Sequence, residues 1–315
     1  MTTGLVSGEK SYLTLATEAS WGATPSSPVY YHWPVTSYGV VLKQDRRNTK
    51  TFAGIRQRRH GHNYRGAPAG QIAGPLYGWK PGGVSQSLAE YLITWAMGSP
   101  DVVELPSKLA EWAEGPNISN VRHNGLRINS CTIEGQAGGP ITITLDVIGK
   151  TEAALATAQA LPDDREVCIE MDYEDCTFSL NGSAVTPVSF KWTVTNALQA
   201  VFEGTRSPTV IAAGDRVETL SMTFLKRDDV YGAFNRSLGV DTEITGSIVL
   251  KGPHHGTGTG GTNYTVGTVT FNRLQFSNPD EQRNISALNQ QTLNFDVLKP
   301  DTASDASSVA WTESV

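Results

Sequence analysis

The stretch that most limits what this chain can fold into is "ITITLDVIG", residues 141–149. Its apolar residues Ile141, Ile143, Leu145 and Val147 alternate with Thr142, Thr144 and Asp146. Successive side chains of an extended strand point to opposite faces, so a period of two yields one apolar and one polar face. "VSFKWTVT" (188–195) repeats the pattern, with Val188, Phe190, Trp192 and Val194 set against Ser189, Lys191, Thr193 and Thr195. Further strands are expected near 126–134, 167–180, 216–226, 242–250, 264–276 and 291–298. Asn124-Gly125, Gly135 to Pro140, Asn181-Gly182 and the glycines from 252 to 261 supply the positive φ angles that tight reversals demand. The fold class is all-β, an antiparallel sandwich or barrel.

One segment argues strongly for helix. In "SQSLAEYLITWAMGSP" (85–100), Leu88, Tyr91, Leu92, Trp95 and Ala96 form a single apolar stripe. Ser87 with Glu90 is a capping box, and Gly98 then Pro100 stop the helix. "TEAALATAQALP" (151–162) reads as a second, shorter helix, and residues 99–121 as a connector. At 315 residues the chain has room for one large all-β domain or two smaller ones. The expected organisation is a β domain over 1–298, elaborated or tandem with a weak boundary near 165, followed by a polar tail or arm over 299–315.

Cys131, Cys168 and Cys176 form no CxxC pair and have no His at zinc-ligand spacing, so a disulfide framework and a metal knuckle are both disfavoured. The cysteine usage reads as a reduced protein assembled inside a cell. No run approaches the roughly 18 apolar residues of a membrane span, and the N-terminal residues lack a signal-peptide pattern. Gly256, Gly258 and Gly261 satisfy G-x-G-x-x-G, but "TNYTVGTVTF" follows, a strand where a dinucleotide site needs a helix. His254-His255 lacks two further ligands at fixed spacing. Asp172, Glu174 and Asp175 lack the glycine and final glutamate of a calcium loop and read as a solvated or inter-subunit acidic face. No catalytic residue, cofactor site or metal site is expected.

The charge is unevenly spread. Residues 43–65, "KQDRRNTKTFAGIRQRRHGHNYR", hold eight Lys and Arg against one Asp, in a chain whose formal net charge is −6. Lys43, Arg46, Arg47, Lys50, Arg56, Arg58, Arg59 and Arg65 are the candidates for contact with another subunit. Single-strand binding would interleave aromatic platforms with the cations, yet only Phe52 and Tyr64 are present. A duplex reader would place them on a groove-entering helix, and this segment has no helical stripe. It reads as a long loop. An acidic neighbour is the favoured partner, ahead of a solvated loop and direct nucleic-acid contact.

The N-terminal "GEKSYLTLATEASWGATPSSPVYYHWPV" resembles tail tube proteins (major tail proteins) of long-tailed bacteriophages. There a strand leads into an E-x-S-W-G-type turn, here Glu18, Ser20, Trp21 and Gly22, and a Pro-containing extended segment with Pro25. The following order also resembles that family: a long loop with Gly54, an amphipathic helix ending in Gly98, a hairpin across "GQAGGP", and a strand leading to Asn196 and a variable loop. The resemblance implies a structural virion protein without catalytic residues, whose homo-oligomeric rings, usually hexameric, stack into a hollow tail through which genome and tape-measure protein pass. It implies location in the virion tail, assembly in the host cytoplasm and no membrane partner. Residues 40–80 would form the loop bridging adjacent subunits. A tail terminator, baseplate hub or decoration protein on the same fold is the alternative, and a carbohydrate-binding β-sandwich a more distant one.

Overall fold

A computed structural model describes residues 11–48, 61–80, 86–98, 105–114, 120–157, 160, 170–225, 243–252, 264–282, 289–300 and 305–314. The chain begins with strands β1 (Tyr12–Thr17), β2 (Tyr30–Trp33), β3 (Ser37–Tyr38), β4 (Val41–Asn48) and β5 (Gly61–Pro75). Helix α1 (Leu88–Met97) precedes β6 (Lys108–Ala113), β7 (Asn120–Gln136), β8 (Thr142–Ile148) and β9 (Thr151–Leu155). After a single 3-10 turn at Tyr173–Asp175 come β10 (Thr177–Leu180), β11 (Ser183–Val185), β12 (Ser189–Thr195), β13 (Gln199–Val201) and β14 (Val210–Ala212). The last strands are β15 (Val217–Leu225), β16 (Glu243–Lys251), β17 (Tyr264–Gln282), β18 (Gln290–Val297) and β19 (Ser307–Ser314).

Every described ladder is antiparallel. The main sheet runs β4-β5-β8-β7-β12-β15-β18-β17. It continues from β17 into β16, β10 and β11, with β19 on the N-terminal half of β17. A smaller sheet has the order β2-β1-β6-β7-β9. Strand β7 belongs to both: residues near its start pair in the small sheet, and those from Arg127 onward in the main one.

The period-two runs bury the faces they predict. Ile141, Ile143, Leu145 and Val147 are fully buried, and Phe190, Trp192 and Val194 join them. Fully burying an aliphatic side chain of this size contributes about 1.5–3 kcal/mol. Trp192 meets Phe271 edge-on, with ring centroids 5.6 Å apart. Helix α1 buries its expected stripe together with Ala89 and Ile93. Ser87 caps it by accepting from the Glu90 N–H, and Gly98 closes it at φ 57°. No helix among the described residues is long and apolar enough to cross a membrane.

Several expectations are corrected. Residues 151–155 form β9 rather than a helix, because past Gly149-Lys150 the chain continues in the direction of β8 along β7, and sheet pairing outweighs a weak alanine preference for helix. The connector over 99–121 contains β6, which is buried along nearly its whole length between β1 and β7 and so shows no alternation in sequence. Within 167–180 only Thr177–Leu180 is strand among the described residues. Asn124-Gly125 is not a reversal: it lies inside β7, where the β6–β7 register slips. The polar C-terminal segment supplies β19, aligned on β17 from Ser307 to Ser314.

The slip at Gly125 has a clear cause. Gly125 has φ 70°, and a Cβ there would lie 2.7 Å from Lys150 Cβ and 2.8 Å from Trp21 Nε1. Its N–H donates to Glu18 Oε1 at 2.7 Å, and its carbonyl accepts from Trp21 Nε1 at 3.1 Å. Glu18 Oε2 also accepts from Gly22 N–H at 2.9 Å and from Ser107 Oγ at 2.6 Å. The E-x-S-W-G turn is thus a clamp on the corner where β7 passes between sheets. Gly125→Ala is expected to cost about 1–3 kcal/mol from backbone strain alone, read as a lower urea midpoint at unchanged slope.

Candidate inter-subunit surface

The described flanks of the basic segment are strands rather than the loop expected of them, and residues 49–60 lie outside the described residues. These flanks are β4 and the first part of β5, paired from Val41–Ala69 to Asn48–Gly61. Since β8 pairs only with Ala69–Pro75, the part of β5 before Ala69 has β4 as its strand partner, and the two project beyond the sheet as a ribbon. Pairing slips between Asp45 and Arg46, leaving Tyr64 as the extra residue of a bulge, which adds twist.

Lys43 is exposed on β4, Arg46 and Arg47 stand opposite Asn63 and His62, and Arg65 lies on β5. Lys50, Arg56, Arg58 and Arg59 lie outside the described residues, as do Gly256, Gly258, Gly261, His254 and His255. Arg65 has partners in its own chain: Nε donates to Asp45 Oδ2 at 2.7 Å, and the guanidinium sits 5.0 Å from the Phe202 ring and 5.3 Å from that of Tyr64. Half-exposed pairs of this kind contribute little energy; this one crosses between the two ribbon strands, which the β4–β5 ladder holds together.

The ribbon's base is braced from two sides. On one, Gly66 N–H donates to Arg206 O at 2.9 Å, in the segment between β13 and β14. That segment is tied to the core by Arg127, fully buried, which donates to Ile211 O at 2.7 Å, and by Asn196 Nδ2, which donates to Ile128 O at 3.0 Å and Ala96 O at 3.2 Å. On the other, Glu152 Oε2 accepts from Leu42 N–H at 2.9 Å and from His123 Nε2 at 3.0 Å. A carboxylate only accepts, so Nε2 carries the proton and Nδ1 accepts from Tyr38 Oη at 2.6 Å. Sequence gave no signal for Phe202, Arg206, His123 or Glu152 as supports, because their partners lie far away along the chain.

The outward face of the main sheet has the opposite character. Cross-strand rows carry Thr144–Thr132–Thr193–Thr219–Asp296 and Thr142–Glu134–Lys191–Ser221–Asn294. The hydroxyls and amides bond to one another: Ser221 Oγ donates to Asn294 Oδ1 at 2.8 Å, Thr223 and Thr292 are 3.0 Å apart, and Thr132 and Thr193 3.3 Å. Lys191, the single cation in these rows, lies 3.9 Å from Glu134. A shallow cavity of about 510 Å³ lies over this face, bounded by Glu134, Thr142, Lys191 and Ser221 among others. Among the described residues, no cluster of His, Cys, Asp and Glu could hold a metal ion.

A two-sheet antiparallel fold with a projecting basic ribbon and a hydroxyl-covered sheet face accompanies a match, over residues 8–297, to the phage tail tube protein family. The chain belongs to that family. No curated protein matches it. Membership makes it a structural protein of the virion tail that assembles into a tube with other tail proteins. The match spans α1, the ribbon and every strand of both sheets except β19, so the clamp, the braces and the hydroxyl face all lie within the matched residues.

Burial pushes the His123 imidazole below its ordinary pKa of 6.5, against the opposing pull of Glu152. A histidine held neutral by the fold contributes stability that is present above pH 6.5 and is lost as pH falls through its lowered native value. Between pH 7.5 and 5 the urea midpoint of the wild type should therefore fall. His123→Gln should show a shallower fall, by up to about 1.4 kcal/mol per pH unit.

Proposed function

We propose that the chain forms rings, hexameric as is usual for such proteins, stacked into a hollow tail tube, with the hydroxyl face of the main sheet lining the bore and the basic ribbon bridging copies. Residues 1–298 act as one tube domain, its halves on either side of residue 165 joined through the β7–β12 ladder. Assembly takes place in the host cytoplasm, and the genome and tape-measure protein occupy the lumen. The observation that carries this reading is the segregation of charge: the ribbon gathers four of the described cations at one end of a sheet whose central outward rows, from β8 to β18, carry one paired lysine.

A conduit for a polyanion must not hold it. Each phosphate contact releases counterions and strengthens binding, so contacts multiplied along a tube would stall the polymer. Short hydroxyl side chains bonded to one another, with carboxylates outnumbering the one lysine, offer DNA no cationic foothold. Cations belong where they meet carboxylates on another subunit, and Lys43, Arg46 and Arg47 all lie on ribbon strand β4.

Negative-stain microscopy of concentrated protein should show rings or tubes of uniform width, and assembled protein should bind duplex DNA poorly at physiological salt. Thr132→Lys with Thr193→Lys should leave assembly intact yet confer salt-sensitive retention of DNA. Tight DNA binding by the wild-type tube, or no gain in the double variant, would remove this face from the bore.

A further inference from the structure

Strand β5 runs between two regions of opposite charge. Its first residues belong to the ribbon, where Lys43, Arg46, Arg47 and Arg65 accompany one acidic residue, Asp45. Beyond its last residue, Pro75, Leu76 donates its N–H to Ile141 O at 2.8 Å and accepts at its carbonyl from Met171 N–H at 2.8 Å. Met171 lies in "EMDYEDC" (170–176), four carboxylates with no Lys or Arg, of which Asp172, Glu174 and Asp175 are exposed.

This segment is fixed in place rather than draped over the surface. Bridges join Tyr77 to Glu170 and Pro140 to Asp172, Tyr173 N–H donates to Gly139 O at 3.1 Å, and Glu174 Oε1 accepts from Gly138 N–H at 2.5 Å. The acidic residues therefore sit at the rim where β7 turns into β8, while the ribbon leaves the opposite rim beyond Ile148. On the acidic rim the register row Gln136–Ser189–Thr223–Thr292 also ends at Asp280, followed in sequence by Glu281. From Arg65 to Leu76 a strand spans about 35 Å at 3.3 Å per residue. The rigid sheet keeps the two poles of one molecule apart.

Complementary poles at opposite rims fit a head-to-tail contact between copies in the same orientation, one that repeats without closing on itself. We propose that the basic ribbon of one copy docks on the Glu170–Asp175 segment of the next copy along the stack. This deepens the reading of the ribbon as a bridge, on which it rests, by naming the surface that receives it. Lys43 and Arg65 on one pole and Asp172, Glu174 and Asp175 on the other are exposed, so the contact is screened within a Debye length of about 8 Å at physiological ionic strength, and added salt weakens it.

Two charge-reversed proteins test the pairing. One carries Lys43→Glu, Arg46→Glu and Arg47→Glu; the other carries Asp172→Lys and Asp175→Lys, which leaves Glu174 on the Gly138 N–H. Each alone should raise the concentration needed for stacking about tenfold or more, followed by sedimentation velocity and microscopy. An equimolar mixture should recover wild-type stacking, because each variant's ribbon then meets a pole of opposite sign. Circular dichroism confirms that both variants fold. Stacking of the Asp172/Asp175 variant at wild-type concentration, or a mixture of folded variants that fails to recover, overturns the assignment while leaving the tube reading standing. Wild-type protein that never stacks removes the tube reading, and this inference with it.

Discussion

The architecture turns on the passage of β7 through two sheets. A strand this long cannot follow both sheets without a local change of direction, and the slip at Gly125 provides it. Glu18 makes that change permanent: one buried carboxylate takes hydrogen bonds from two backbone N–H groups and a serine, drawing β1, β7 and the residue before β6 to one point. Charge-assisted bonds to backbone N–H groups are about twice as strong as neutral ones. The aromatic lid is Trp21, whose ring lies 4.2 Å from Lys150 Nζ and 5.1 Å from the Arg127 guanidinium. Through Arg127 the same corner reaches Ile211, and so the segment that braces the ribbon.

Rigidity at that corner matters because the surfaces used for assembly are remote from it. A ribbon that wagged freely would lose conformational entropy at every contact it made. Bracing by Arg206 on one side and Glu152 on the other removes that cost before any partner arrives. The open sheet face is likewise held by hydroxyl-to-amide and hydroxyl-to-hydroxyl bonds across its strands, which fix the orientation of side chains that would otherwise be free.

Much of this was legible in the chain. The alternation in 141–149 and 188–195 announces strands with one buried face, and the stripe with its Ser87 cap announces α1, since those patterns reflect periods intrinsic to the backbone. Where local preference and tertiary pairing disagree, sequence misleads. "TEAAL" has helical composition but lies beside β7, "KLAEWA" hides its strand character because nearly all of it is buried, and Asn124-Gly125 looks like a reversal although it is a bulge. The basic stretch lacks strong alternation, and so reads as a loop, because the part of it in the ribbon has little core to face.

By itself, then, the sequence determined the all-β class, the lone helix, the concentration of cations in 43–65 and the Thr-rich strands, because each follows from residue type and spacing along one short segment. Only the tertiary structure decided which strands lie side by side, that Arg65 answers to Asp45, and that cations and carboxylates occupy opposite rims of one sheet. Those facts depend on hydrogen-bond register between segments separated by 20 residues, as for Arg65 and Asp45, or by many more, and register is chosen by the packing of the whole core rather than by any segment alone.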